Sequence, residues 1–67
     1  MTVEQKIETI PSNSSIKVFN HLMGTEYYFG SLNRFKSASN TENYESLKSC
    51  KVITTYCRNE VYYFGIE

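Results

Sequence analysis

His21, Cys50 and Cys57 are the residues of this 67-residue chain best suited to nucleophilic or soft-metal chemistry. Structural zinc sites set their cysteines about two to four residues apart and complete a tetrahedron. Here six residues separate the two cysteines and a fourth ligand is missing, so a metal site is not expected. A thiol activated by an imidazole needs both groups within hydrogen-bond reach and a third group to orient the base, and nothing in the spacing specifies that. Glu26, Glu42, Glu45, Glu60 and Glu67 fall on a helix, at turns or at the terminus, with no pair set for general acid–base work. Gly24, Gly30 and Gly65 are dispersed rather than gathered into a phosphate loop. The last two follow aromatic triplets, where a glycine marks a bulge or a close backbone approach. The expectation is a non-enzymatic protein with no catalytic residue and no cofactor.

The tyrosines suggest binding instead. All ten aromatics are Tyr or Phe, six and four, with no Trp. Aromatic side chains on exposed strands stack single-stranded bases; Tyr28 and Tyr63 are the expected stacking pair in that reading, with Arg34, Lys36, Lys51 and Arg58 as phosphate partners. Seven basic residues against seven acidic ones leave a net charge of zero, however, and binding to phosphates draws its affinity from a basic excess. Tyr and Arg are also enriched as anchors of protein interfaces, a role that needs no phosphate. Protein binding through Tyr28, Tyr63, Arg34, Tyr56 and Arg58 therefore ranks first, and single-stranded nucleic-acid binding is the alternative.

These residues must be positioned by a small scaffold. Charged residues make up 21% and apolar residues 40% of the chain, ordinary globular usage and unlike a disordered chain. No apolar run approaches the roughly 18 residues of a membrane span, and Met1 to Ile10 lacks the apolar region of a signal peptide, so a cytoplasmic protein is expected. The cysteines are too few for a secreted disulfide scaffold; two reduced, buried thiols are expected, with one bond between them possible only if their strands bring them together.

Residues 1–15 form an N-terminal arm or edge strand plus a turn, and residues 16–67 a single domain. Val3, Ile7 and Ile10 have helical spacing over a short window, and Pro11 with Ser12 to Ser15 ends whatever precedes it. Thereafter Tyr27-Tyr28-Phe29-Gly30 recurs as Tyr62-Tyr63-Phe64-Gly65. The first copy follows Ile16 to Phe19 and a turn at Asn20 to Gly24; the second follows Lys51 to Tyr56 and a turn at Arg58 to Glu60. Each half has the β-branched and aromatic content of a β-hairpin. Between them Leu32 with Phe35, and Tyr44 with Leu47, share helical spacing; Ser31 and Thr41 are suited to cap. This predicts a helical turn from Leu32 to Lys36, a helix from Thr41 to Ser49, and Ser37 to Asn40 between them. The fold class is α+β: a small antiparallel sheet of two β-hairpins with a short helix between them, ββαββ.

Alternation separates Tyr27 and Phe29 from Tyr28; Ile16 and Val18 from Phe19; Val52 and Tyr56 from Ile53 and Cys57; and Tyr62, Phe64 and Ile66 from Val61 and Tyr63. Both faces are apolar, whereas a sheet with one wet face alternates cleanly. A helix of about nine residues covers one side. The leader, a second copy or another molecule must cover the other, so a homo-oligomer is expected. Phe29, Phe64, Leu32 and Leu47 are the expected interior residues.

The layout of Ile16 to Phe19, Tyr27 to Leu32 and Val52 to Ile66, with its Asn, Ser, Tyr, Lys and Ile usage, resembles the small single-domain proteins of bacteriophages and other mobile elements of low-GC bacteria. The resemblance implies residence in the host cytoplasm and a role in disabling or redirecting a host protein by occupying one of its surfaces.

Overall fold

A computed structural model describes residues 1–37 and 41–67, with side chains of the second stretch from Asn43 onward. The elements are α1 (Val3–Ile7), β1 (Ser15–Asn20), β2 (Glu26–Ser31), α2 (Leu32–Phe35), α3 (Thr41–Leu47), β3 (Val52–Arg58) and β4 (Val61–Ile66). The fold is α+β with two hairpins, β1β2 and β3β4, in one four-stranded sheet of order β2-β1-β4-β3. β1 and β4 pair in parallel. The sheet is therefore mixed, not wholly antiparallel as expected. The helical stretch between the hairpins returns the chain to the far side, which lets β4 enter beside β1 in the same direction.

Local chemistry accounts for the turns and caps. Asn20 accepts hydrogen bonds at Oδ1 from the Leu22 and Met23 amides at 3.0 and 2.8 Å, a side-chain mimic of a turn, and Gly24 then takes φ +75°. The β3β4 loop is two residues, Asn59 and Glu60, both with positive φ, the geometry whose twist matches that of paired strands. The Ser31 hydroxyl accepts from the Arg34 amide at 3.2 Å and caps α2, as its position predicts. Capping by Thr41 and the linker at 38–40 lie outside the described residues.

The leader is neither an arm nor a full edge strand. Thr2 and Gln5 form a reciprocal capping box, and the i, i+4 pair Val3 and Ile7 is buried. The Val3 and Glu4 amides donate to the carbonyls of Cys50 and Lys48, and one antiparallel bridge joins Thr2 to Lys51. Val3 and Ile7 thus join Ile16, Val18, Leu32, Phe35, Leu47, Phe64 and Ile66 in one core cluster. Every helix therefore contributes to the same side of the sheet. Among the described residues no helix is long and apolar enough to cross a membrane.

Candidate protein-interaction face

Strand register decides which aromatics the helices cover. Val18 lies opposite Tyr28 on one neighbour and Phe64 on the other; all three face the helical side. Lys17 lies opposite Phe29 and Tyr63, and Tyr63 lies opposite Tyr56. One row, Phe29–Lys17–Tyr63–Tyr56, therefore crosses all four strands on the open side. The next row brings Phe19, Gly65 and Thr54 together. A methyl on Gly65 would stand 2.5 Å from Thr54 Cγ2 and 3.1 Å from the Phe19 ring, so the missing side chain is what lets these groups close over the backbone. Tyr27 falls at the irregularity between β1 and β2, where it has no register partner and its hydroxyl accepts from Asn20 Nδ2 at 3.3 Å.

The face is firm as well as apolar. Tyr56 and Tyr63 stack with centroids 4.7 Å apart and planes 8° from parallel. That separation matches the spacing of neighbouring strands, about 4.8 Å, so the rings stand upright side by side. Lys17 Nζ lies 5.8 Å from the Tyr63 centroid, from the β1 side, and 3.8 Å from Glu26 Oε1. Tyr63 is thus flanked by a ring on one face and a cation on the other. Phe29 is 55% exposed and Tyr56 49%, so both offer apolar surface to a partner.

Several expectations change. Phe29, expected inside, lies on the open face, while Phe64, Leu32 and Leu47 are buried as expected. The repeated Tyr-Tyr-Phe-Gly strings sit on strands of opposite direction, β2 antiparallel and β4 parallel to β1. Their register on β1 differs by one residue, Tyr28 opposite Val18 and Tyr63 opposite Lys17, so Tyr28 faces inward and Tyr63 outward. A bulge between Val52 and Thr54 shifts the alternation of β3 by one residue, so Tyr56 faces outward while Val52 packs on the core.

The five expected contact residues thus divide. Tyr56, Tyr63 and, by register, Arg58 share the open face. Tyr28 and Arg34 belong to the helical side, where Tyr28 stacks obliquely on Phe35 at 4.7 Å and donates its hydroxyl to the Ser31 carbonyl at 2.7 Å. Burial pushes the Tyr28 phenol above its ordinary pKa, with the Arg34 charge and the Ser31 side chain pulling the other way. Spacing alone missed Phe19, Lys17 and Phe29 as members of the face; the visible signal was Lys17 in mid-strand between Ile16 and Val18, which marks the wet side.

The remaining candidates are scattered. Cys50 and Cys57 are both free and about 20 Å apart along an extended segment, too far to bond. Both were expected to be buried, but Cys57 is exposed and Cys50 only half-buried. His21 donates its amide to the Ile66 carbonyl at the end of the sheet where β3 begins, and Cys57 lies near the other end. Among the described residues no cluster of His, Cys, Asp and Glu is placed to hold a metal ion. The chain matches no protein-family model, no curated protein and no solved structure.

Proposed function

We propose that the chain is a non-enzymatic protein-binding module that acts stoichiometrically, its open sheet face covering a surface of another protein. One observation carries the reading: a folded chain whose helices all cover one side of the sheet leaves Phe29 and Tyr56 bare on the other. Tyr, Phe and Arg are the residue types that anchor protein interfaces, and Arg58 rims this face. In the phage-type role that the resemblance implies, the module occludes a host protein in the cytoplasm, by sterics alone. The nucleic-acid alternative is weakened because its stacking pair is divided between the two sides of the sheet and both faces of the Tyr63 ring are engaged.

The test is capture from bacterial lysate by immobilised chain. Proteins retained by the wild type should be lost with Phe29→Glu plus Tyr56→Glu and kept with Asn33→Glu, which changes the opposite side. Retention indifferent to the face variant, or retention of nuclease-sensitive material alone, would sink the reading.

A further inference from the structure

The central row of the open face is complementary to itself when read backwards. It runs Phe29, Lys17, Tyr63, Tyr56 across β2, β1, β4 and β3. Two copies laid face to face with two-fold symmetry can be related in two senses. Rotation about an axis across the strands places each strand over itself, and Lys17 meets Lys17 of the second copy, like charge on like. Rotation about an axis parallel to the strands places β2 over β3 and β1 over β4. Phe29 then meets the second copy's Tyr56, and Lys17 the second copy's Tyr63, and each contact occurs twice, as an isologous interface requires. The upright ring pair presents its edges and hydroxyls outward, so an ammonium arriving from above finds a phenol oxygen to accept its hydrogen bond, and the Phe29 face finds a ring edge.

We propose that this face is the interface of a symmetric homodimer, two sheets packed about a two-fold axis parallel to their strands, with Lys17 of each copy on Tyr63 of the other. This rests on the reading of the face as a protein contact and names its occupant. Net charge zero leaves no overall repulsion between copies. Four strands about 4.8 Å apart and six residues of about 3.3 Å give a footprint of about 400 Å². With side-chain relief, two copies remove about 1,000 Å² of surface in total, the lower limit of specific interfaces. The dimer is therefore weak, with a Kd on the order of 100 µM, and exchanges readily with other partners of the face.

Sedimentation equilibrium from about 10 µM to about 1 mM brackets that range. The wild type should pass from monomer to dimer. Lys17→Glu and Phe29→Glu should each weaken association at least about ten-fold, and Lys17→Arg, which keeps the cation, less than about three-fold. Circular dichroism checks that each variant is folded. The axis is read by a short bismaleimide on a background of Cys50→Ser and Cys57→Ser, because packed sheets lie about 10 Å apart, beyond a disulfide. Phe29→Cys chains mixed with Tyr56→Cys chains should give crosslinked dimers, and Phe29→Cys chains alone should not, because about this axis position 29 of the second copy lies over the opposite edge strand, about 17 Å away. A wild type still monomeric at the highest concentration, or the reverse crosslinking pattern, overturns the proposal. If lysate proteins are nonetheless captured through the face, the binding reading stands while the dimer falls; if neither occurs, both fall.

Discussion

Phe64 and Phe29 occupy matching positions of the two Tyr-Tyr-Phe-Gly strings, yet one is fully buried and the other is 55% exposed. Truncation to alanine converts that difference into stability. Phe64 lies in the core cluster with Ile16, Val18 and Phe35, and removing a ring from such a site costs about 3–5 kcal/mol, transfer and cavity together. Phe29 keeps less than half its surface covered, and a full burial is worth about 2–3 kcal/mol, so Phe29→Ala should cost about 1 kcal/mol. A domain of this length has about 3–10 kcal/mol to lose. Phe64→Ala should remove from about a third to all of that stability, and Phe64→Leu, at about 1.5 kcal/mol, keeps the site measurable. Urea unfolding followed by far-UV circular dichroism, with an unchanged m-value, gives both numbers. Equal losses at the two positions, or a larger loss at Phe29, would refute the assignment of faces on which the functional reading stands.

Three further outcomes are expected. Glu60 holds φ +66° in the β3β4 turn, a conformation that side chains resist, so Glu60→Gly should raise stability by about 0.5 kcal/mol and the midpoint of thermal unfolding by about 2–4 °C; a lower midpoint would contradict the turn. Burial raises the phenols of Tyr28 and Tyr44. Below about pH 10 these groups are protonated in both folded and unfolded chain; above it the unfolded chain ionises first, so stability should fall as pH rises there, and less steeply in Tyr44→Phe. Urea midpoints at about pH 9 and about pH 11 check this, a flat profile opposing it. Thiol titration of native protein should find one fast group, the exposed Cys57, and one slow group, Cys50, which packs against the core; two fast groups, or none, would contradict the placement.

The hairpins were legible because their cues are local: β-branched and aromatic runs on either side of Asn20 to Gly24 and of Asn59-Glu60, and a serine at position 31 where a helical turn begins. Lys17 between Ile16 and Val18 marks the wet side of β1, but Phe19 shares that side, so alternation alone left both faces apolar and the covered side undecided. What stayed hidden depends on distant parts of the chain. The parallel joining of β1 to β4 is fixed by how the helical connection crosses the sheet, and no residue of either strand announces it. The bulge at Ile53 moves Tyr56 to the open side through one extra residue, which counting by twos cannot anticipate. Val3 and Ile7 carry a helical spacing too short to stand alone, and α1 is held by its dock on the Lys48 and Cys50 carbonyls as much as by its own capping box. Phe29 follows from these effects together, because its burial depends on which side the helices choose.

Photo-crosslinking puts the central claim to its most direct test. A benzoyl-phenylalanine at position 29, irradiated in bacterial lysate, should yield covalent adducts with protein, whether a second copy or another chain, and the same group at position 33 on the helical side should yield few. Adducts of equal yield from both positions, or none from position 29, would mean that the aromatic side of the sheet is not where this protein meets others.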